Sequence, residues 1–167
     1  KQFLIFLQRN VQTKIVNTQY LLISLLEAPL LAAIVAMLTR YAPETGYTIM
    51  DNKNLVSFFF MAVIVAIFMG MSVSAEEIFK DRSLLKRERF LRLSHSGYIW
   101  SKITYLTGLS LLQTLLFILV GHAIMGIHGM LGIWWIILFA AALVANLTGL
   151  VLSQSLNSIV AIYITIP

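Results

Sequence analysis

The sequence predicts an all-α fold, a polytopic bundle of membrane-spanning helices. Composition comes first: 59% of the 167 residues are hydrophobic, only 11% are charged, and mean hydropathy is +0.88. An average soluble domain carries about 25% charged residues. The second observation is the recurrence of apolar runs near the roughly 20 residues a helix needs to cross a bilayer. The third is where the charge sits. Seven of the twelve Lys and Arg (Lys80, Arg82, Lys86, Arg87, Arg89, Arg92 and Lys102) and four of the seven acids (Glu76, Glu77, Asp81 and Glu88) fall between residues 76 and 102, with hydrocarbon on both sides. A charged hinge between two apolar runs reads as a loop on one face of a membrane.

The same features exclude other classes. The net charge of +5 comes from basic residues beside apolar runs, which is a topology signal and not a nucleic-acid footprint. With no cysteine, disulfides and thiolate metal sites are out of reach. The chain starts at Lys1 without a small-residue cleavage pattern and ends at Pro167 inside an apolar run, so it is expected to be a segment of a longer protein.

Residues 1–19 form the first expected element, an amphipathic helix. Leu4, Leu7, Val11 and Ile15 recur at spacings of three and four, with Gln8, Arg9, Gln12, Lys14 and Asn17 between them. A basic amphipathic helix ahead of a span belongs at the membrane surface. The remainder, 20–167, is expected to be the transmembrane domain. Its first span covers 20–38 and includes Glu27, Pro29 and a small-residue stripe of Ala28, Ala32 and Ala36. Such stripes let helices approach closely. Residues 40–54, with Pro43, Gly46, Asp51 and Asn52, are a polar turn.

The second span covers 55–75. It has Phe58, Phe59 and Phe60 at one end and the stripe Ala62, Ala66, Gly70 and Ser74. After the hinge, a third span runs over 98–125, a tight loop over 126–132, and a fourth span over 132–152, opened by Trp134 and Trp135 as interface anchors. Its stripe is Ala141, Ala145, Gly149 and Ser153. A fifth span begins at 158. With residues 1–19 and 76–102 on the cytoplasmic face, ten of the twelve basic residues lie inside and only Arg40 and Lys53 lie outside, which fixes the expected orientation in a plasma (inner) membrane.

No soluble-enzyme signature appears: the sequence has neither a Gly-rich phosphate loop ending in Lys-Ser or Lys-Thr nor a His-Glu-x-x-His pair. His95 is expected on the inner face and His122 and His128 on the outer one, so a three-histidine metal site is not expected. The polar residues inside the spans are the remaining candidates. Glu27 reads either as a carboxylate on a substrate path or as a group near the boundary that reaches water. Gln113, Asn146, Gln154 and Asn157 read as interhelical hydrogen-bonding groups, with a pore-lining role open to Asn157. In the hinge, Ile78, Phe79, Leu84, Leu85, Phe90, Leu91 and Leu93 alternate with charges, as in a short amphipathic helix on a membrane face. Topology needs only Lys and Arg, whereas Glu77, Asp81-Arg82 and Arg87-Glu88-Arg89 mix both signs.

The stretch Val73-Ser74-Ala75-Glu76-Glu77-Ile78-Phe79, followed by Asp81-Arg82-Ser83-Leu84-Leu85-Lys86-Arg87-Glu88-Arg89 and then Tyr98, resembles the first cytoplasmic loop of G-subfamily ABC exporters, within the type-two export permease superfamily. That loop has an acid-Arg pair, an apolar stretch, an Arg-Glu-Arg-like run and a Tyr entering the third span. The order of elements over most of the chain fits as well. Asp81 stands where the family more often has Glu, and Arg92-Leu93-Ser94 stands near the family's Gly-x-Tyr.

The resemblance implies that residues 1–19 are the connecting helix and that the 76–97 loop holds a coupling helix, with Glu77, Asp81, Arg82, Arg87, Glu88 and Arg89 touching a cytoplasmic ABC ATPase. It implies that the ATPase lies upstream in the same chain and binds ATP and Mg; no cofactor is expected in residues 1–167. It also implies pairing with a second permease copy and export of a substrate between the two, partly along the second and fifth spans; apolar helices lined by small residues suit lipids, amphiphiles or peptides alike. Lipid and these proteins are the implied partners, and nucleic acid is not. The readings that compete are a membrane scaffold or assembly subunit without a transported substrate, and an intramembrane enzyme using Glu27.

Overall fold

The computed structural model describes residues 2–40, 52–75, 77, 78, 81, 95–127 and 129–155. The expected turn around Pro43 and Gly46, the hinge residues Arg82, Arg87, Glu88 and Arg89, His128, and the fifth span with Asn157 lie outside these residues. Within them the chain is helical without a strand. The helices are α1 (Gln2–Val16), α2 (Thr18–Thr39), α3 (Leu55–Ala75), α4 (His95–Met125) and α5 (Leu131–Ser155). The last four are each long and apolar enough to cross a bilayer.

The element boundaries have local causes. Asn17 separates α1 from α2: its Oδ1 accepts the Tyr20 N–H at 3.3 Å, a capping bond that starts α2 at Thr18. α2 runs through Pro29 without interruption. Gly126 ends α4 with φ of 68°, a left-handed conformation suited to glycine, while the Ile127 N–H donates to the His122 carbonyl. α4 begins three residues before the expected Tyr98, and α5 extends past the expected end at Leu152.

The spanning helices run alternately up and down and form a ring in the order α2, α3, α5, α4. The core has three levels. Ala36, Phe58, Met125 and Ile127 sit at the end bearing Arg40 and Lys53. Ala28, Ala32, Ala62, Ala66, Met69, Phe117, Ile118 and Leu138 fill the middle. Ile78, Leu106 and Leu150 close the opposite end, where α1 docks.

Small residues set the tightest seam, between α3 and α5. A Cβ on Gly70 would lie 2.7 Å from the Ala142 carbonyl oxygen, and one on Gly149 would lie 1.9 Å from Ser74 Oγ. The expected stripe of α5 shifts by one residue here: Ala142 is buried at the contact and Ala141 only half-buried, because the seam follows the i, i+3, i+4 rows of the helix. At the far end Phe59 stacks on Trp134 with ring centroids 3.8 Å apart, Phe58 is buried, and Phe60 faces outward.

α1 departs from the face expected of it. Leu4 and Ile15 are exposed and Leu7 and Val11 half-buried, while the buried positions are Phe6 and Asn10. A helix in water would turn its apolar stripe inward. α1 instead turns Phe6, Asn10 and Lys14 to the bundle and leaves Leu4, Ile5, Ile15 and Val16 exposed beside Gln8 and Gln12, so exposed apolar surface is left on the side away from the bundle, as on a helix at a lipid surface.

Candidate functional site

The site lies where α1, the residues following α3 and the first turns of α4 meet. Placing the start of α4 at His95 puts Tyr98, Ser101, Lys102 and Tyr105 on one helix face, because residues three, four and seven apart align. That polar face receives α1: Phe6 packs edge-on against Tyr98 with centroids 6.0 Å apart, and one turn on Asn10 Nδ2 donates to Ser101 Oγ at 3.0 Å. Ser101 Oγ in turn donates to the Tyr98 carbonyl at 2.7 Å.

Glu77 is at the centre and is almost fully buried, with 3% of its surface exposed. One carboxylate oxygen pairs with Lys14 from α1 and the other with Lys102 from α4, the latter at 2.8 Å. Lys102 also pairs with Asp81 at 2.8 Å, and the Tyr98 hydroxyl donates to the same Asp81 oxygen at 2.9 Å. Two lysines thus face two carboxylates and the formal charges cancel. Lys14 rests over the Tyr20 ring at 4.1 Å from its centroid, which ties the start of α2 into the group. Next to Glu77, the Ile78 N–H donates to Ser153 Oγ of α5 at 3.0 Å.

Four helices therefore converge on the short segment that follows α3. Desolvating two lysines and two carboxylates is expensive, and the pairing offsets it only while the set is complete. Removing one partner of a buried pair typically costs about 3–5 kcal/mol.

Of the loop residues singled out from sequence, Glu77 is the hub and Asp81 the half-exposed rim of this cluster. Lys14, Lys102, Tyr98 and Asn10 belong to this candidate site and were not selected by the sequence reading. A signal existed for two of them: Tyr98-x-x-x-Lys102 places a ring and a lysine on one face of an otherwise apolar helix.

The polar residues inside the spans do not gather into one site. Gln113 Nε2 donates to the Ser24 carbonyl of α2 at 2.9 Å, and Asn146 Nδ2 donates to Ser110 Oγ of α4 at 2.7 Å; both are buried. These bonds join α2 to α4 and α4 to α5. Glu27 takes part in neither. With α2 starting at Thr18, Glu27 lies about 14 Å along a helix about 33 Å long, near the middle of the span and not at its boundary. Charged groups at that depth cost about 2.5–3.5 kcal/mol.

A protein-family model described as "ABC-2 type transporter" matches residues 1–167, the full length of the sequence. Neither a curated protein nor a solved structure matches the chain.

Proposed function

Because the chain belongs to the ABC-2 type transporter family and is a multi-pass membrane protein, we propose that it is the permease of an ATP-driven exporter of the G-subfamily kind. In this reading a cytoplasmic ABC ATPase, preceding residue 1 in the same polypeptide, binds ATP and Mg. Two copies of the permease pair, and an apolar or amphipathic substrate leaves the cytoplasm between them. α1 is the connecting helix and the 76–97 segment the coupling element.

The observation that supports this most is the buried ionic cluster. Glu77 stands at the exit of α3 and the entrance to the charged segment, and it is bonded to α1 through Lys14 and to α4 through Lys102. Asp81, one turn further on, is bonded to Lys102 and Tyr98 of α4. A movement imposed on the 76–97 segment would therefore be transmitted to α1 and α4 together, since neither can shift without separating desolvated charges.

The test is the full-length protein in lipid vesicles, with ATP hydrolysis and amphiphile export measured side by side. The parent should hydrolyse ATP faster in the presence of transported amphiphile. Glu77→Gln should reach the membrane and hydrolyse ATP, but its rate should no longer respond to amphiphile. A parent protein that neither hydrolyses ATP nor moves any amphiphile would overturn the exporter reading. A Glu77→Gln variant with full stimulation and export would remove the role of the cluster.

A further inference from the structure

We propose that Glu27 is the anionic anchor for the positively charged headgroup of an apolar-tailed amphiphile. This names the substrate class and rests on the exporter reading.

The carboxylate is half-buried near the middle of α2. Its helical neighbours at i−4, i+3 and i+7 are Ile23, Leu30 and Ile34, all exposed, with Leu26 beside them. The charge thus borders an outward-facing apolar strip, the surroundings in which a hydrocarbon tail and a single headgroup charge can be held together. A carboxylate at this depth requires a counter-charge or a proton.

The described residues do not supply the counter-charge. Among the described residues no hydrogen bond or ion pair reaches Glu27. Lys102, the one lysine buried within a spanning helix, is held by Glu77 and Asp81 at the α1 end of the bundle. Arg40 lies beyond the end of α2, about 20 Å along the axis from Glu27. His122 is packed against Phe58 and Phe59 at the level of Arg40 and Lys53. No Lys or Arg follows Lys102 in the sequence, so the described α4 and α5 bring no further lysine or arginine to this depth. A ligand that brings a cation to Glu27 would meet that need, and a ligand at that depth needs an apolar body.

The probe is radiolabelled dodecyltrimethylammonium, whose charge is permanent, beside neutral dodecanol of the same chain length. Both are bound to the full-length protein in phosphatidylcholine nanodiscs, and partition into empty nanodiscs is subtracted. The parent should bind the cation about tenfold more tightly than the alcohol. Glu27→Gln should lose that preference while dodecanol binding stays level, and Glu27→Asp should keep most of it. Equal binding of the two probes by the parent overturns the proposal without any variant. So does cation binding unchanged in Glu27→Gln, or a parallel fall for both probes. The exporter reading fails separately: cation binding by a parent that moves no amphiphile would keep the site and sink the transport. Export of dodecanol with no cation preference would do the reverse.

Discussion

At the scale of residues, the decisive contrast is between polar groups that can be removed cheaply and those that cannot. Gln113 donates to the Ser24 carbonyl, which also lies inside a continuous helix, so losing the amide leaves little unsatisfied. Gln113→Leu should lower stability by only about 0.6 kcal/mol, the average for such bonds between spanning helices. Lys102 is different. It is 2% exposed and holds two carboxylates at 2.8 Å. Among the described residues, Lys102→Met would leave Glu77 with Lys14 and Asp81 with only the Tyr98 hydroxyl, and should cost about 3–5 kcal/mol. Adding Asp81→Asn to Lys102→Met should recover part of that loss, because the charge stranded by the first change is removed by the second. Thermal unfolding of the purified proteins in one detergent measures all three. Equal losses for Gln113→Leu and Lys102→Met would contradict the cluster's burial.

At the scale of elements, the α3–α5 seam and the orientation of α1 each make a prediction. The seam closes on absent side chains: Gly149 is seated against Ser74, and a methyl added to Gly149 would meet Ser74 Oγ and, at 3.1 Å, the Met71 carbonyl oxygen. Gly149→Ala should destabilise by about 1–3 kcal/mol, the usual range for overpacking. Pairing it with Ser74→Gly should return much of the loss, because the nearest obstacle is then gone. Gly70→Ala should have no such rescue by side-chain trimming, since its nearest obstacle is the backbone oxygen of Ala142.

For α1, the exposed Leu4 and Ile15 on one side predict contact with acyl chains, and the exposed Thr13, on the opposite side of the helix, predicts water. The cysteine-free sequence allows single-cysteine labelling. An environment-sensitive fluorophore at Leu4→Cys should emit at shorter wavelength and be quenched by brominated lipid, while one at Thr13→Cys should do neither. Identical spectra would mean that α1 does not lie at the lipid surface.

At the scale of the whole molecule, the structure puts Arg40 and Lys53 at one end of the bundle and Lys14, Glu77 and Asp81 at the other. From the basic-residue bias we propose that the second end faces the cytoplasm. Cysteines placed singly at Lys53 and Arg87 should then react oppositely with a membrane-impermeant thiol reagent on intact cells: position 53 labelled, position 87 protected. The reverse pattern would invert the molecule.

The number of described spans, their approximate limits and the small-residue seams were determined by the sequence. Hydropathy over about 20 residues and the spacing of Ala, Gly and Ser are local properties that a lipid solvent enforces on any chain. The stripe Ala28, Ala32 and Ala36 is buried in full for that reason. Tertiary structure alone decided the rest. α1's apolar stripe predicts the buried side of a helix in water, but the bundle's polar end pulls Asn10 and Lys14 inward and leaves Leu4 and Ile15 outside. Lys14, Glu77 and Lys102 are far apart in the sequence; the two lysines read alone as topology charges and Glu77 as one acid of a mixed-sign loop. They become one cluster only when the start of α4 is set three residues early and α1 lies across it, because buried charge is stable only where opposite charge is brought to meet it.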